Sequence, residues 1–208
     1  MADLNGLSRA IEAGDRETAV RITREAVDEG LPPQAILDEM TAAMHVVGTR
    51  FQRNEIFVPE MLIAARAMKE ATAVLDPLLV AADIQPTAVA ILGTVKGDLH
   101  DIGKNLVGMM WRGANLAVVD LGTNVAPEQF VAAAREHGAQ IVGVSALLTT
   151  TMVAMRDVVT AVRAAGLTDV KVIVGGAPVT ADFAREIGAD AYAPDAGSAA
   201  EVVKAALS

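Results

Sequence analysis

The sequence predicts a two-part α/β protein. An all-helical first part, read as a four-helix bundle, is followed by a doubly wound parallel five-stranded sheet. Three observations predict this. Up to residue 82, apolar residues recur at helical spacing between turn signals. From residue 88, short apolar runs alternate with helical segments, the pattern of repeated βα units. Hydrophobic residues make up 52% of the 208 positions and aromatic ones only 3%, so the core must be built from Ala, Val, Leu, Ile and nine Met.

In the first part, Leu7, Ile11, Val20 and Ile22 mark two short amphipathic helices separated by Gly14-Asp15. Gly30-Leu31-Pro32-Pro33 is the next turn, with Pro33 suited to a first helical position. Ile36, Met40, Met44, Val47 and Phe51 then carry a third helix, which a turn around Gln52–Asn54 closes. The fourth starts near Pro59 and presents Met61, Leu62, Ala65, Met68, Thr72 and Leu75 on one side. The expected domains are 1–82 and 88–208, joined by a linker at 83–87. In the second part, strands are expected at 88–95, 115–119, 140–145, 170–175 and 189–192. Helices are expected at 104–112, 127–137, 150–165, 180–187 and 197–206.

Composition excludes several functions. Seventeen Lys and Arg against 26 Asp and Glu give a net charge of −9, which disfavours nucleic-acid binding. Without Cys there are no disulfides, thiolate metal sites or thiol nucleophiles. Three scattered His residues do not make a structural zinc site. No run approaches the roughly 18 apolar residues of a membrane span, and the N-terminus lacks a signal-peptide pattern. The expectation is a cytoplasmic protein that binds neither membrane nor nucleic acid.

One stretch carries chemistry. Gly97-Asp98-Leu99-His100-Asp101-Ile102-Gly103 lies between the first expected strand and a helix expected from Lys104. A His two residues after an Asp, on a strand-to-helix turn, suits a metal ligand oriented by a hydrogen-bonded carboxylate. In open α/β sheets, ligands sit beyond the carboxyl ends of the strands. With strand order 2-1-3-4-5, the flavodoxin-like order, three signals converge there. They are the Asp98-Leu99-His100 turn, the Ser145–Thr151 run after the third strand, and Gly175-Gly176-Ala177-Pro178 after the fourth.

Asp98-x-His100-x-x-Gly103, Ser145-x-x-x-Thr149 and Gly175-Gly176 together resemble the corrinoid-binding motif of cobalamin-dependent methyltransferases and mutases. Met44-His45-Val46-Val47-Gly48-Thr49-Arg50-Phe51, then Phe57-Val58-Pro59-Glu60-Met61, is similar to the helical cap of methionine synthase and small corrinoid proteins. The resemblance covers nearly the whole chain. Its best match is the stand-alone corrinoid protein of systems that demethylate methylamines, methanol or related donors, and Ser145–Met152 is similar to the amine branch.

The resemblance implies a cobalamin or related corrinoid, cycling between methylcobalamin and cob(I)alamin, with His100 as the lower ligand to cobalt. Asp98 holds the other imidazole nitrogen. Thr151 stands where methionine synthase has a Ser completing a proton relay. Ser145 and Thr149 contact the nucleotide tail or lower face, and Gly143, Gly175 and Gly176 wall its slot, which Asp195-Ala196-Gly197 closes. Gly97, Leu99, Asp101, Ile102, Gly103, Leu147 and Ala196 complete the corrinoid contacts. Phe51 and Val58 cover the methyl group on the upper face.

The implied role is a methyl carrier. A substrate-specific methyltransferase loads the methyl group, and a second passes it to a thiol or to tetrahydrofolate. A corrinoid reductive activase is a further implied partner. The competing readings are a small subunit of an adenosylcobalamin mutase, which needs no such cap, and a cobalamin sensor or trafficking protein. Other singled-out residues have ordinary explanations. Asp101 suits a helix N-terminal carboxylate, His137 a helix end, His45 a packed or solvent-facing position, and the Met set core filler.

Overall fold

A computed structural model describes residues 2–207. The chain forms two compact units. One takes residues up to Pro86 with Gly113–Asn115; the other takes Thr87–Arg112 and the residues from Leu116 onward.

The first unit contains α1 (Leu4–Ala13), α2 (Arg16–Asp28), α3 (Pro33–Gln52) and α4 (Val58–Ala81), packed as four mutually contacting helices. Local chemistry sets their ends. The carboxylates of Asp3 and Asp15 cap α1 and α2 by accepting from the Gly6 and Thr18 N–H groups at 2.8 and 3.1 Å. Gly14 ends α1 in the left-handed region at φ +73°, and Ile63 of α4 fills the space where its Cβ would stand. Pro33 opens α3, and Glu60 accepts from the Phe57 N–H at the start of α4. Leu7, Ile11, Ile36, Met40, Met44, Met61 and Leu75 are buried. Each such side chain contributes roughly 1.5–3 kcal/mol of transfer free energy.

Two expectations about inward faces change. The buried stripe of α2 is Ala19, Ile22, Thr23 and Ala26, leaving Val20 half-buried. The stripe of α4 is Met61, Ala64, Ala67, Met68, Ala71 and Leu75, leaving Leu62 exposed. Closely packed helices place Ala where the neighbouring backbone approaches, so the small residues define the contact line and the larger ones flank it.

The second unit contains β1 (Ala88–Thr94), α5 (Ile102–Gly113), β2 (Leu116–Asp120), α6 (Pro127–Glu136), β3 (Ile141–Ser145), α7 (Thr149–Met152), α8 (Ala154–Ala164), β4 (Lys171–Gly175), α9 (Ala181–Glu186), β5 (Ala191–Ala193) and α10 (Ala196–Leu207). The strands are all parallel in the order β2-β1-β3-β4-β5, as expected for a doubly wound sheet. Side chains of opposite parity face opposite helix layers. Ile91, Val142 and Val144 pack with Phe130 of α6 and Val158 and Val162 of α8. On the other face, Leu92 and Gly143 meet Trp111 of α5, whose indole N–H donates to the Ala199 carbonyl of α10 at 3.0 Å. Burial on both faces explains why the strands read as unbroken apolar runs.

Two helices differ from expectation by more than a single residue at an end. Helix α5 starts at Ile102, two residues early, because the Asp101 carbonyl already accepts the Asn105 N–H and its carboxylate accepts the Asn105 side chain. The single helix expected over 150–165 is two helices broken at Val153. Here the Leu148 carbonyl accepts the N–H groups of both Thr151 and Met152, and the Thr151 hydroxyl proton goes out of the helix to Asp98. A Thr side chain that bonds elsewhere than along its own helix weakens helical continuity.

Candidate functional site

Register places the three sequence signals in one row. Thr94 of β1 pairs with Ser145 of β3, and Ser145 with Gly175 of β4, so all three loops leave the sheet at its carboxyl edge. The first loop is tied to β3 and closes on itself. The Val95 N–H donates to the Ser145 carbonyl at 3.0 Å, and the Asp98 N–H to the Val95 carbonyl at 3.1 Å. Gly97 adopts φ +85°, and a Cβ there would make only an ordinary 3.8 Å contact with Thr151 Cγ2, so glycine is required for its backbone conformation.

Asp98 is the centre of the site and is fully buried. Its Oδ1 accepts the His100 N–H at 3.0 Å and lies 2.7 Å from His100 Nδ1. Its Oδ2 accepts the Leu147 N–H at 2.8 Å and the Thr151 hydroxyl at 2.6 Å. Burial opposes ionisation, but donors from Thr151, Leu147 and His100 outweigh it and hold the carboxyl well below the usual carboxylate range. An ionised Asp98 only accepts, so His100 Nδ1 carries the proton and the Nε2 lone pair is available to a metal. The His100 side chain is half-exposed, which leaves that nitrogen reachable.

The surroundings of His100 are apolar. Leu99 and Ile102 are 73% and 74% exposed, Leu147, Leu148 and Val153 are also exposed, and a Cβ on Gly103 would meet nothing. Asp101 and Thr149 are exposed, Ser145 is half-buried and Ala196 is buried. Among the described residues no three acidic or imidazole side chains gather to hold an ion. One oriented imidazole in an open apolar surround fits a metal that arrives inside a flat macrocycle supplying its own equatorial donors.

The glycines expected to wall a slot already have close neighbours within the chain. A Cβ on Gly143 would lie 2.4 Å from the Trp111 ring, and one on Gly175 would lie 2.8 Å from the Ala193 carbonyl oxygen. A Cβ on Gly176, at φ +131°, would overlap the Ala146 carbonyl. Asp195 accepts both the N–H and the hydroxyl of Ser198 at the start of α10. Phe51 and Val58 belong to the helical unit, half-buried at the end of α3 and the start of α4.

Three supporting residues, Thr94, Asn124 and Lys104, were not singled out from the sequence. The buried Thr94 hydroxyl donates to the His100 carbonyl at 2.9 Å. Asn124 accepts the Gly97 N–H at 2.8 Å and donates its own N–H to the Asp98 carbonyl at 2.9 Å. The buried Lys104 Nζ sits 2.5 Å from Asp120 Oδ2 and 2.7 Å from Asn105 Oδ1. The available signals were weak: one polar residue in an apolar strand run, and an Asn in a turn.

Comparison with known proteins shows the family. Two family models, each described as a B12 binding domain, match residues 88–204 and 3–76. A corrinoid protein of Desulfitobacterium hafniense is 39% identical over all of this chain and 98% of its own length. A trimethylamine corrinoid protein of Methanosarcina mazei is 42% identical over 93% of this chain and 90% of its own. A chain of the methanol:cobalamin methyltransferase complex of Methanosarcina barkeri superposes with a TM-score of 0.86 at 27% identity, covering 98% of this chain and 79% of that one. The chain belongs to the B12-binding corrinoid proteins.

Proposed function

We propose that this protein carries a methyl group on a corrinoid between two methyltransferases, with His100 as the lower ligand to cobalt. One observation carries the reading. His100 is held by a buried, ionised carboxylate in the tautomer that leaves Nε2 unprotonated, within an exposed apolar surround. The corrinoid, when bound, supplies a cobalt centre able to accept and release a methyl group. The chain's own residues orient the ligand, tune its basicity and shield the lower face from water. Asp98 holds the proton on Nδ1 through Oδ1, and Thr151, donating to Oδ2, keeps that carboxylate ionised and in place; this is the relay position the resemblance assigns to Thr151. Gly97, Leu99, Asp101, Ile102, Gly103, Ser145, Leu147, Thr149, Gly175, Gly176 and Ala196 hold the corrinoid, and Phe51 and Val58 cover its upper face.

The partner that loads the methyl group is a methyltransferase specific for a methylated amine, a reading supported by the trimethylamine corrinoid protein at 42% identity and by the Ser145–Met152 run. A second methyltransferase passes the group to a thiol or to tetrahydrofolate, a reductive activase restores the cofactor after oxidation, and the cycle runs in the cytoplasm. No helix among the described residues is long and apolar enough to cross a membrane.

The test is a visible spectrum after reconstitution with hydroxocobalamin. Wild type should bind with its lower ligand supplied by the protein, and His100→Ala should bind without it. Identical spectra would overturn the assignment of His100. Methyl transfer from trimethylamine through an added trimethylamine methyltransferase then tests the carrier role. A protein that binds cobalamin and accepts no methyl group would favour a sensor or trafficking function.

A further inference from the structure

We propose that Asn124 is a positioning residue for His100: it locks the Gly97–Asp98 segment so that the Asp98 carboxylate lies beneath the imidazole. The inference rests on the reading of His100 as the cobalt ligand.

The chain after β2 runs beside the end of β1. Thr94 donates to the Gly122 carbonyl, Val125 donates to the Thr94 carbonyl, and Val95 bridges Val125. Asn124 makes the last link before the histidine turn, and it makes it twice. Its side-chain oxygen takes the Gly97 N–H, and its backbone N–H holds the Asp98 carbonyl. Together with the bond from the Asp98 N–H to the Val95 carbonyl, this restrains both peptide groups of Asp98. The Asp98 side chain then has one direction in which it meets His100 Nδ1, the Leu147 N–H and the Thr151 hydroxyl together.

Asn124 suits this place for two reasons. It adopts φ +55°, a region that Asn tolerates better than most residues. It is also exposed, so it adds no core packing and its effect is local to the turn. A hydrogen-bonded group that orients a metal ligand typically changes metal affinity by about 10–100-fold when removed.

The experiment uses the full chain reconstituted with hydroxocobalamin, reduced to cobalt(II), and labelled with ¹⁵N-histidine. Electron paramagnetic resonance reads the nitrogen splitting on cobalt, and the label shows whether that nitrogen belongs to histidine. Asn124→Ala should lower the histidine-ligated fraction and weaken corrinoid binding about 10-fold, with little change in the apo-protein's thermal midpoint. Asn124→Gly, which keeps the backbone freedom and loses the acceptor, should follow it. Asn124→Asp, which keeps the acceptor, should restore both readouts. Unchanged splitting and affinity in Asn124→Ala would overturn the inference. So would losses that Asn124→Asp does not restore and that track a fall in thermal midpoint. Wild-type protein without label-dependent splitting would overturn the His100 reading itself.

Discussion

The Thr151 hydroxyl donates to Asp98 Oδ2 at 2.6 Å, joining residues 53 apart in the chain. The contact ties the loop after β3 to the loop after β1, at the carboxylate that orients His100. The added methyl of threonine does not prevent it: a Cβ on Gly97 would still stand 3.8 Å from Thr151 Cγ2. Thr151→Val keeps the shape and removes the donor. The Asp98 carboxyl should then move up toward its ordinary range, and corrinoid affinity should fall about tenfold. Thr151→Ser should behave as wild type. Carboxyl ¹³C NMR titration of the apo-protein and a binding isotherm check the two parts.

Asp98 also sets an acid dependence. Its carboxyl is depressed in the folded state, so the unfolded chain binds the proton first as pH falls. The resulting stabilisation is fully present above the unfolded value of about 4 and is lost as pH falls below it toward the folded value. The stability difference between wild type and Asp98→Asn should therefore be constant near neutrality and shrink in acid. Urea unfolding across that range measures it, and a difference that grew on acidification would contradict the assignment.

The Lys104–Asp120 pair should be asymmetric. Lys104 has 2% of its side chain exposed and Asp120 has 31%. Lys104→Met leaves a carboxylate that reaches water and still accepts the Gly122 N–H. Asp120→Ala leaves a buried ammonium with, among the described residues, the Asn105 oxygen alone. The second change should cost about 3 kcal/mol or more and the first clearly less. Urea midpoints of the two variants compare them directly.

Gly143→Ala should disturb the sheet face that Trp111 covers. The new methyl would collide with the indole and with Leu92, so the ring must shift. Overpacking of this kind costs about 1–3 kcal/mol. Trp111 is the only tryptophan, so its emission reports the shift without interference.

Much of the fold was legible because its signals are local. Parallel strands buried on both faces leave unbroken apolar runs, and helices leave a period that turns interrupt. The candidate ligand turn was legible for the same reason: Asp98, His100 and Gly103 lie within six residues. The break at Val153 was not legible, since it depends on which groups the Leu148 carbonyl accepts and where the Thr151 hydroxyl donates. Neither were the inward faces of α2 and α4, where small residues mark the contact lines.

By itself, the sequence determined the helical part, the strand succession, the resemblance to corrinoid proteins and the identity of the histidine turn. Only the tertiary structure decided what holds that turn. Thr94 reaches it from the end of β1, Asn124 from the loop after β2, and Leu147 and Thr151 from the loop after β3. The tertiary structure also decided that Gly143 yields its space to Trp111. The physical reason is common to both. A hydrogen bond or a close contact between distant segments exists only once strand register has brought them together, and no local pattern encodes it.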